Sequence, residues 1–188
     1  GILKAGLAFQ NCEVAVVTNV AADHIGLGGI NNVEAMAKVK QVVPETVFPH
    51  GFAILNAEDD LVYAMKNDLK CNIALFSMDE NNPRIKEHSS EGGLSAVFEN
   101  GFVSILKGNW KIRVTNVKDI PLTYEGKAVH NINNCLPAVL ATYLFRDITI
   151  EDIRSALTSF VPSSTQTPGR LNFFHFKHFT ILADFAHN

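Results

Sequence analysis

The chain has 188 residues, 47% of them apolar, which suffices for one globular domain with a substantial core. Its formal net charge is only −3, so nothing points to a nucleic-acid or membrane surface, and no apolar run reaches the roughly 20 residues needed to span a bilayer. Cys12, Cys71 and Cys135 are scattered, odd in number and without a CxxC pair, which argues against a disulfide framework or a zinc site and fits a reducing cytoplasm.

No secretory leader with a basic start, apolar centre and small-residue cleavage site is visible. The opening GILKAGLAFQ lacks an initiator Met, and ILADFAHN closes directly on an apolar run. Domain boundaries favour exposed linkers, so the chain reads as an excerpt of a longer protein. CEVAVVTNV (12–20) is Val-rich and predicts a strand buried on both faces of a parallel sheet. AADHIGLGGI follows as a loop. Asn31 or Asn32 then caps a helix through about Val43, with Glu34 in its first turn. GFAILNAEDD (51–60) is strand then turn, with Asp59 and Asp60 opening a helix over 60–69, and NIALFSM (72–78) is another buried strand.

LSAVFENGFVSILKGNWKIRV (94–114) carries Asn100-Gly101 and Gly108-Asn109 between β-rich runs. Asn-Gly is a strong two-residue hairpin signal, so an antiparallel meander is expected, continuing through Pro121-Leu122. Leu136, Val139, Leu140, Tyr143 and Leu144 follow helical spacing, with Pro137 placed in a first turn. Ile153, Ala156, Leu157 and Phe160 mark a second helix. VPSSTQTPGR (161–170) is a polar loop, and RLNFFHF and FTILADF are strands around a Lys177-His178 turn. The predicted class is α/β: a mostly parallel sheet flanked by helices, plus a small antiparallel β meander.

Four groups of residues are candidates for chemistry. Asn19, Asp23 and His24 follow the carboxyl end of a predicted parallel strand, where ligands of open α/β sheets bind; Asp23 as a turn cap is the local alternative. Lys38 and Lys40 point to different faces of one helix, which by itself is also an ordinary solvated helix. Asn131 and Asn134 share one side of a helical turn, where carboxamides read an adenine edge or cap the helix. Arg170 after a Pro-Gly turn suits phosphate oxygens, and Asp184 with His187 ends the paired strand; a surface Arg170–Asp184 ion pair is the plainer reading. No phosphate-loop or dinucleotide motif occurs in the chain.

Taken in order, these segments are more specific than any one alone. TN-x(3)-DH, a helical Lys, GFAILNAEDD, HN-x(2)-N-x-L, PGR and D-F-A-H resemble the succession found in Mur ligases and folylpolyglutamate synthases, over essentially the whole chain. GILKAGLAF, AADHIGLG and STQTPGRLN are most similar to one branch of that superfamily. In that branch a Mur-like half joins arginine, through its α-amine, to side-chain carboxylates of a poly-aspartate backbone, and a separate ATP-grasp half adds the aspartate.

The resemblance implies roles. Asn19, Asp23 and His24 would lie near magnesium and the γ-phosphate, with His24 and Asp23 on the metal side. Lys40 would match the helical lysine that is carbamylated in many Mur ligases, with Lys38 the competing register. Asn131 and Asn134 would face adenine, Arg170 phosphate and Asp184 ribose, with His187 in the same motif. Residues 1–168 would be part of a central domain without its upstream phosphate loop, and 169–188 the truncated start of a C-terminal domain. ATP would phosphorylate a carboxylate, and an amine would displace phosphate. Alone, the chain is expected to be inactive, and its exposed sheet edges favour homo-oligomers. The other readings are a ligase for a peptidoglycan precursor or folate, and a non-catalytic α/β interaction module.

Overall fold

The computed structural model describes all residues except 1, 3–5, 23–25, 27 and 186–188. Six strands form one sheet in strict chain order: β1 (Cys12–Val17), β2 (Val47–Asn56), β3 (Asn72–Ser77), β4 (Leu94–Glu99), β5 (Phe102–Lys107) and β6 (Trp110–Asn116). The pairings from β1 to β4 are parallel, and those from β4 to β6 are antiparallel. The connections explain the switch. Helices α1 (Val33–Glu45), α2 (Asp60–Ala64) and α3 (Pro83–Ser90) lie in the three parallel crossovers, whereas two-residue turns join β4 to β5 and β5 to β6.

Crossovers between parallel strands are right-handed, so a sheet growing in one direction places them on one face. There Val17, Ala37, Leu55, Val62, Leu75, Ile85 and Val97 form one core. The chain then returns across the opposite face as α4 (Val129–Tyr143) and α5 (Ile150–Ser159). Ile54, Phe76, Val103, Ile105, Leu136, Val139, Leu140 and Ile153 form the second core there. Alternate residues of a strand, such as Ile54 and Leu55, feed opposite cores, as the period of two requires. A separate hairpin, β7 (Asn172–His175) with β8 (Thr180–Ala183), completes the described elements. No described helix is long and apolar enough to cross a membrane.

Most expected elements appear with their expected signals. Asn32 caps α1, its side chain accepting from Ala35 N–H at 2.8 Å. Asn100 and Gly101 both adopt left-handed φ, 48° and 86°, as a primed hairpin turn demands. The run 94–114 forms the expected antiparallel meander, and it extends the parallel sheet because β4 pairs with both β3 and β5. Three expectations are corrected. β1 is an edge strand among the described residues, and Val16 on it is 38% exposed instead of buried on both faces. Pro121-Leu122 lies in a 3₁₀ turn (Pro121–Thr123), not in a continuing strand. Pro137 sits well inside α4, which begins eight residues earlier at Val129.

One helix has no counterpart in the sequence reading. α3 carries only Ile85 as a buried apolar residue, too little for a visible stripe. Its signal was the Asn82-Pro83 pair: Asn82 caps through Arg84 N–H at 2.9 Å, and Pro83 occupies the first turn.

Candidate functional site

The parallel strands β1, β2 and β3 all end on the same edge of the sheet, and the segment Asn56–Asp60 laces that edge together. Asn56 is buried and donates from Nδ2 to Thr18 C=O at 2.8 Å, while its Oδ1 accepts from Glu58 N–H at 2.8 Å. Asp59 accepts from Val20 N–H at 2.7 Å and caps α2 through Leu61 and Val62 N–H, both at 3.0 Å. Glu58 accepts from Ser77 Oγ at 2.7 Å and Met78 N–H at 2.6 Å. The sequence reading assigned Asp59 to the helix start and missed its hold on the loop after β1. That second bond joins residues 39 apart, which no local signal carries.

Asp59→Ala would leave three amide N–H groups without their acceptor. The expected result is a loss of about 1–3 kcal/mol in urea unfolding, with Asp59→Asn keeping the helix cap and losing less. An unchanged unfolding midpoint for the alanine variant would count against this clasp.

Asn19 and Lys40 meet on the same edge. Lys40 Nζ donates to the Asn19 carbonyl at 2.8 Å, whereas Lys38 is exposed on α1. Asp23, His24 and His187 lie outside the described residues.

A second group converges elsewhere. His130, Asn131 and Asn134 from the start of α4 face Thr167, Arg170, Leu171 and Asp184 across a cleft of about 510 Å³, with Leu122 at its base. Four residues singled out from the sequence therefore share one cleft, and Asn19 and Lys40 do not line it. His130 was not singled out, although it precedes Asn131 in the same motif. Neither asparagine caps the helix. The N-cap is Ala128, without a side-chain bond, and Asn131 Nδ2 instead donates to Leu122 C=O at 2.7 Å. Nor do Arg170 and Asp184 form an ion pair. Asp184 Oδ1 accepts from Leu171 N–H at 3.3 Å, and the Arg170 guanidinium lies 5.5 Å from the centre of the Phe185 ring.

The Arg170 loop is built locally. Asn172 is buried; its Oδ1 accepts from Gly169 N–H at 2.7 Å and its Nδ2 donates to Thr167 C=O at 3.0 Å. Gly169 has φ 68°, a conformation strained for other residues, and a Cβ there would push the Phe185 ring, 2.5 Å away, aside. An apolar groove of about 270 Å³ between α4 and α5 adjoins the cleft, sharing Leu122 and Asn134. Chemically, the cleft offers carboxamides for a base edge, a guanidinium for phosphate and a carboxylate for hydroxyls. Among the described residues, no three of His, Cys, Asp and Glu converge to hold a metal ion.

Residues 3–142 match the family model of the Mur ligase middle domain. The chain is 49% identical over all 188 residues to a cyanophycin synthetase from Synechocystis sp. and covers 21% of that protein. It is 31% identical over 151 residues, 78% of this chain and 29% of the relative, to a UDP-N-acetylmuramate–L-alanine ligase from Acetivibrio thermocellus. The chain thus spans about a fifth of the length of the curated relatives it matches first. Among solved structures, MurF from Acinetobacter baumannii superimposes with a TM-score of 0.59 at 21% identity, covering 92% of this chain and 33% of that one. Matched in sequence over most of its length and in fold, the chain belongs to the Mur ligase family through its middle domain.

Proposed function

We propose that this chain is part of an ATP-dependent amide ligase of the cyanophycin synthetase kind, which joins arginine to aspartate side chains of a poly-aspartate backbone through an acyl phosphate. One observation carries the reading. A chain 49% identical throughout to a cyanophycin synthetase brings Asn131, Asn134, Arg170 and Asp184 to a single cleft of nucleotide-compatible size. In this reading residues 1–168 belong to the central domain and 169–188 open the C-terminal domain. The protein works in the cytoplasm.

The donor set suits ATP. Asn131 and Asn134 would hold the adenine edge, Asp184 the ribose hydroxyls and Arg170 the phosphates, with its planar fork matching two oxygens at once. His187 belongs to the same segment as Asp184. Magnesium, assigned to Asp23 and His24 by the resemblance, would neutralise phosphate charge. Lys40 stays fixed by Asn19; a carbamylated Lys40 would keep an N–H for that carbonyl and gain a carboxylate. The protein's main task is alignment: a carboxylate held in line with the γ-phosphate, then an amine held against the acyl carbon.

The test is phosphate release by the full-length protein with magnesium-ATP, arginine and an aspartate-backbone primer, each omitted in turn. Turnover is expected only with all of them, and the isolated 188-residue chain should turn over no ATP. Turnover that ignores arginine and primer but needs a nucleotide-linked peptide or a folate would overturn the substrate assignment and leave the ligase fold standing.

A further inference from the structure

The two walls of the cleft come from segments far apart in sequence, and one short segment touches both. Leu122 C=O accepts from Asn131 Nδ2 on the α4 wall at 2.7 Å. Two residues on, Tyr124 Oη donates to Leu171 C=O at 2.6 Å on the hairpin wall. The same Leu171 gives its N–H to Asp184 Oδ1 and directly follows Arg170. Residues 122–124 therefore form a strut between the asparagines and the Arg170–Asp184 pair.

The strut is held by several specific contacts. Tyr124 and Leu171, the two ends of its long bond, both hold left-handed φ, 51° and 48°, which side chains other than glycine rarely adopt. Gly126 N–H and the carbonyls of Val117 and Ile120 all bond the buried Thr123 hydroxyl between them, fixing the turn. The Tyr124 ring packs edge-on against Phe173, with centroids 5.1 Å apart. Burial pushes the phenol above its ordinary range, which itself lies well above neutral pH.

We infer that Tyr124 is a positioning residue for nucleotide: it fixes the separation of the two walls, and so the reach of Arg170 and Asp184 toward a nucleotide held by Asn131 and Asn134. The inference rests on the nucleotide reading of the cleft. Tyr124 touches no substrate in this role; it acts through Leu171.

The experiment compares Tyr124→Phe, which removes only the hydroxyl, with the unmodified full-length protein. ATP, arginine and primer are varied separately in the phosphate-release assay, and ADP affinity and thermal stability are measured alongside. The expected result is a KM for ATP and a Kd for ADP raised by about three- to tenfold, the free energy of one lost hydrogen bond. kcat and the KM for arginine should stay as they were, and the melting temperature should fall by no more than one lost hydrogen bond accounts for. Unchanged nucleotide parameters would overturn the inference. So would a general fall in kcat and melting temperature without selectivity for nucleotide, because a purely structural tyrosine would give that pattern. Arg170→Ala and Asp184→Ala separate the two levels. If they weaken ADP binding and Tyr124→Phe does not, only the inference fails. If they too leave ADP binding intact, the nucleotide reading fails and takes the inference with it.

Discussion

Replacing Arg170 with alanine should lower kcat/KM for ATP by roughly 10²- to 10³-fold in the full-length protein, the usual effect of removing one preorganised donor to developing charge. The size follows from chemistry that lysine cannot reproduce. A guanidinium offers parallel N–H groups to two phosphate oxygens, whereas an ammonium is a point charge. Arg170→Lys should therefore recover only part of the loss. The loop holding Arg170 does not depend on its side chain: its shape comes from Asn172, Gly169 and the Phe185 N–H bond to Gly169 C=O at 2.8 Å. A melting temperature unaltered in Arg170→Ala, beside a large kinetic loss, would separate function from folding. Steady-state rates against ATP concentration provide the measurement, and a kcat/KM within twofold of the parent would remove the phosphate from this cleft.

The second large effect concerns stability. Glu99 ends β4 with a side chain only 1% exposed, an expensive place for a carboxylate. Arg113 Nε donates to its Oε1 at 2.9 Å, Ser104 Oγ to the same oxygen at 3.1 Å, and Lys111 Nζ to Oε2 at 2.8 Å. Chiefly through the Arg113 bond, and against the opposing cost of burial, its pKa is held down from the ordinary 4.5 to about 2. A carboxylate bound more tightly in the folded state stabilises it at pH values above 4.5 and loses that contribution as pH falls through 2. The difference corresponds to about 3 kcal/mol. Glu99→Gln should cost roughly that much at pH 7 in denaturant unfolding, a drop of about 6–12 °C in melting temperature. The unmodified chain should approach the variant's stability between pH 5 and 2, where the variant's own curve lacks that limb. Equal stabilities at pH 7 would show that the cluster contributes nothing net.

What the sequence revealed, and what it concealed, divides by range. The Asn100-Gly101 turn, the Asn32 cap and the buried stripe Leu136, Val139 and Leu140 are local signals, and each appears in place. The pairing direction of β4 was hidden. An apolar run does not say which neighbour it joins, and the crossover helix that makes β4 parallel to β3 has the polar sequence PRIKEHSS. Glu99 reads as an ordinary charge beside a turn. Only the register that sets Arg113 opposite Ser104 reveals it as a buried ion-pair centre. At the cleft, residue types and their order marked Asn131, Asn134, Arg170 and Asp184, but their convergence needed the fold. The Tyr124–Leu171 bond spans 47 residues and has no sequence signature at all.

The strict chain order of the sheet has a consequence for how the protein is made. Within the six-stranded sheet, each strand after β1 is hydrogen-bonded to the strand synthesised immediately before it, so none has to insert between two of the described strands already joined. The sheet is thus suited to growing strand by strand as the polypeptide leaves the ribosome, each new edge serving as template for the next. The covering of its second face comes last. Until residues 129–159 emerge, Ile54, Phe76 and Ile105 lack the cover of α4 and α5, although six strands are already available to pair. Through that stretch the second face of the sheet lacks the cover that α4 and α5 give it in the folded structure.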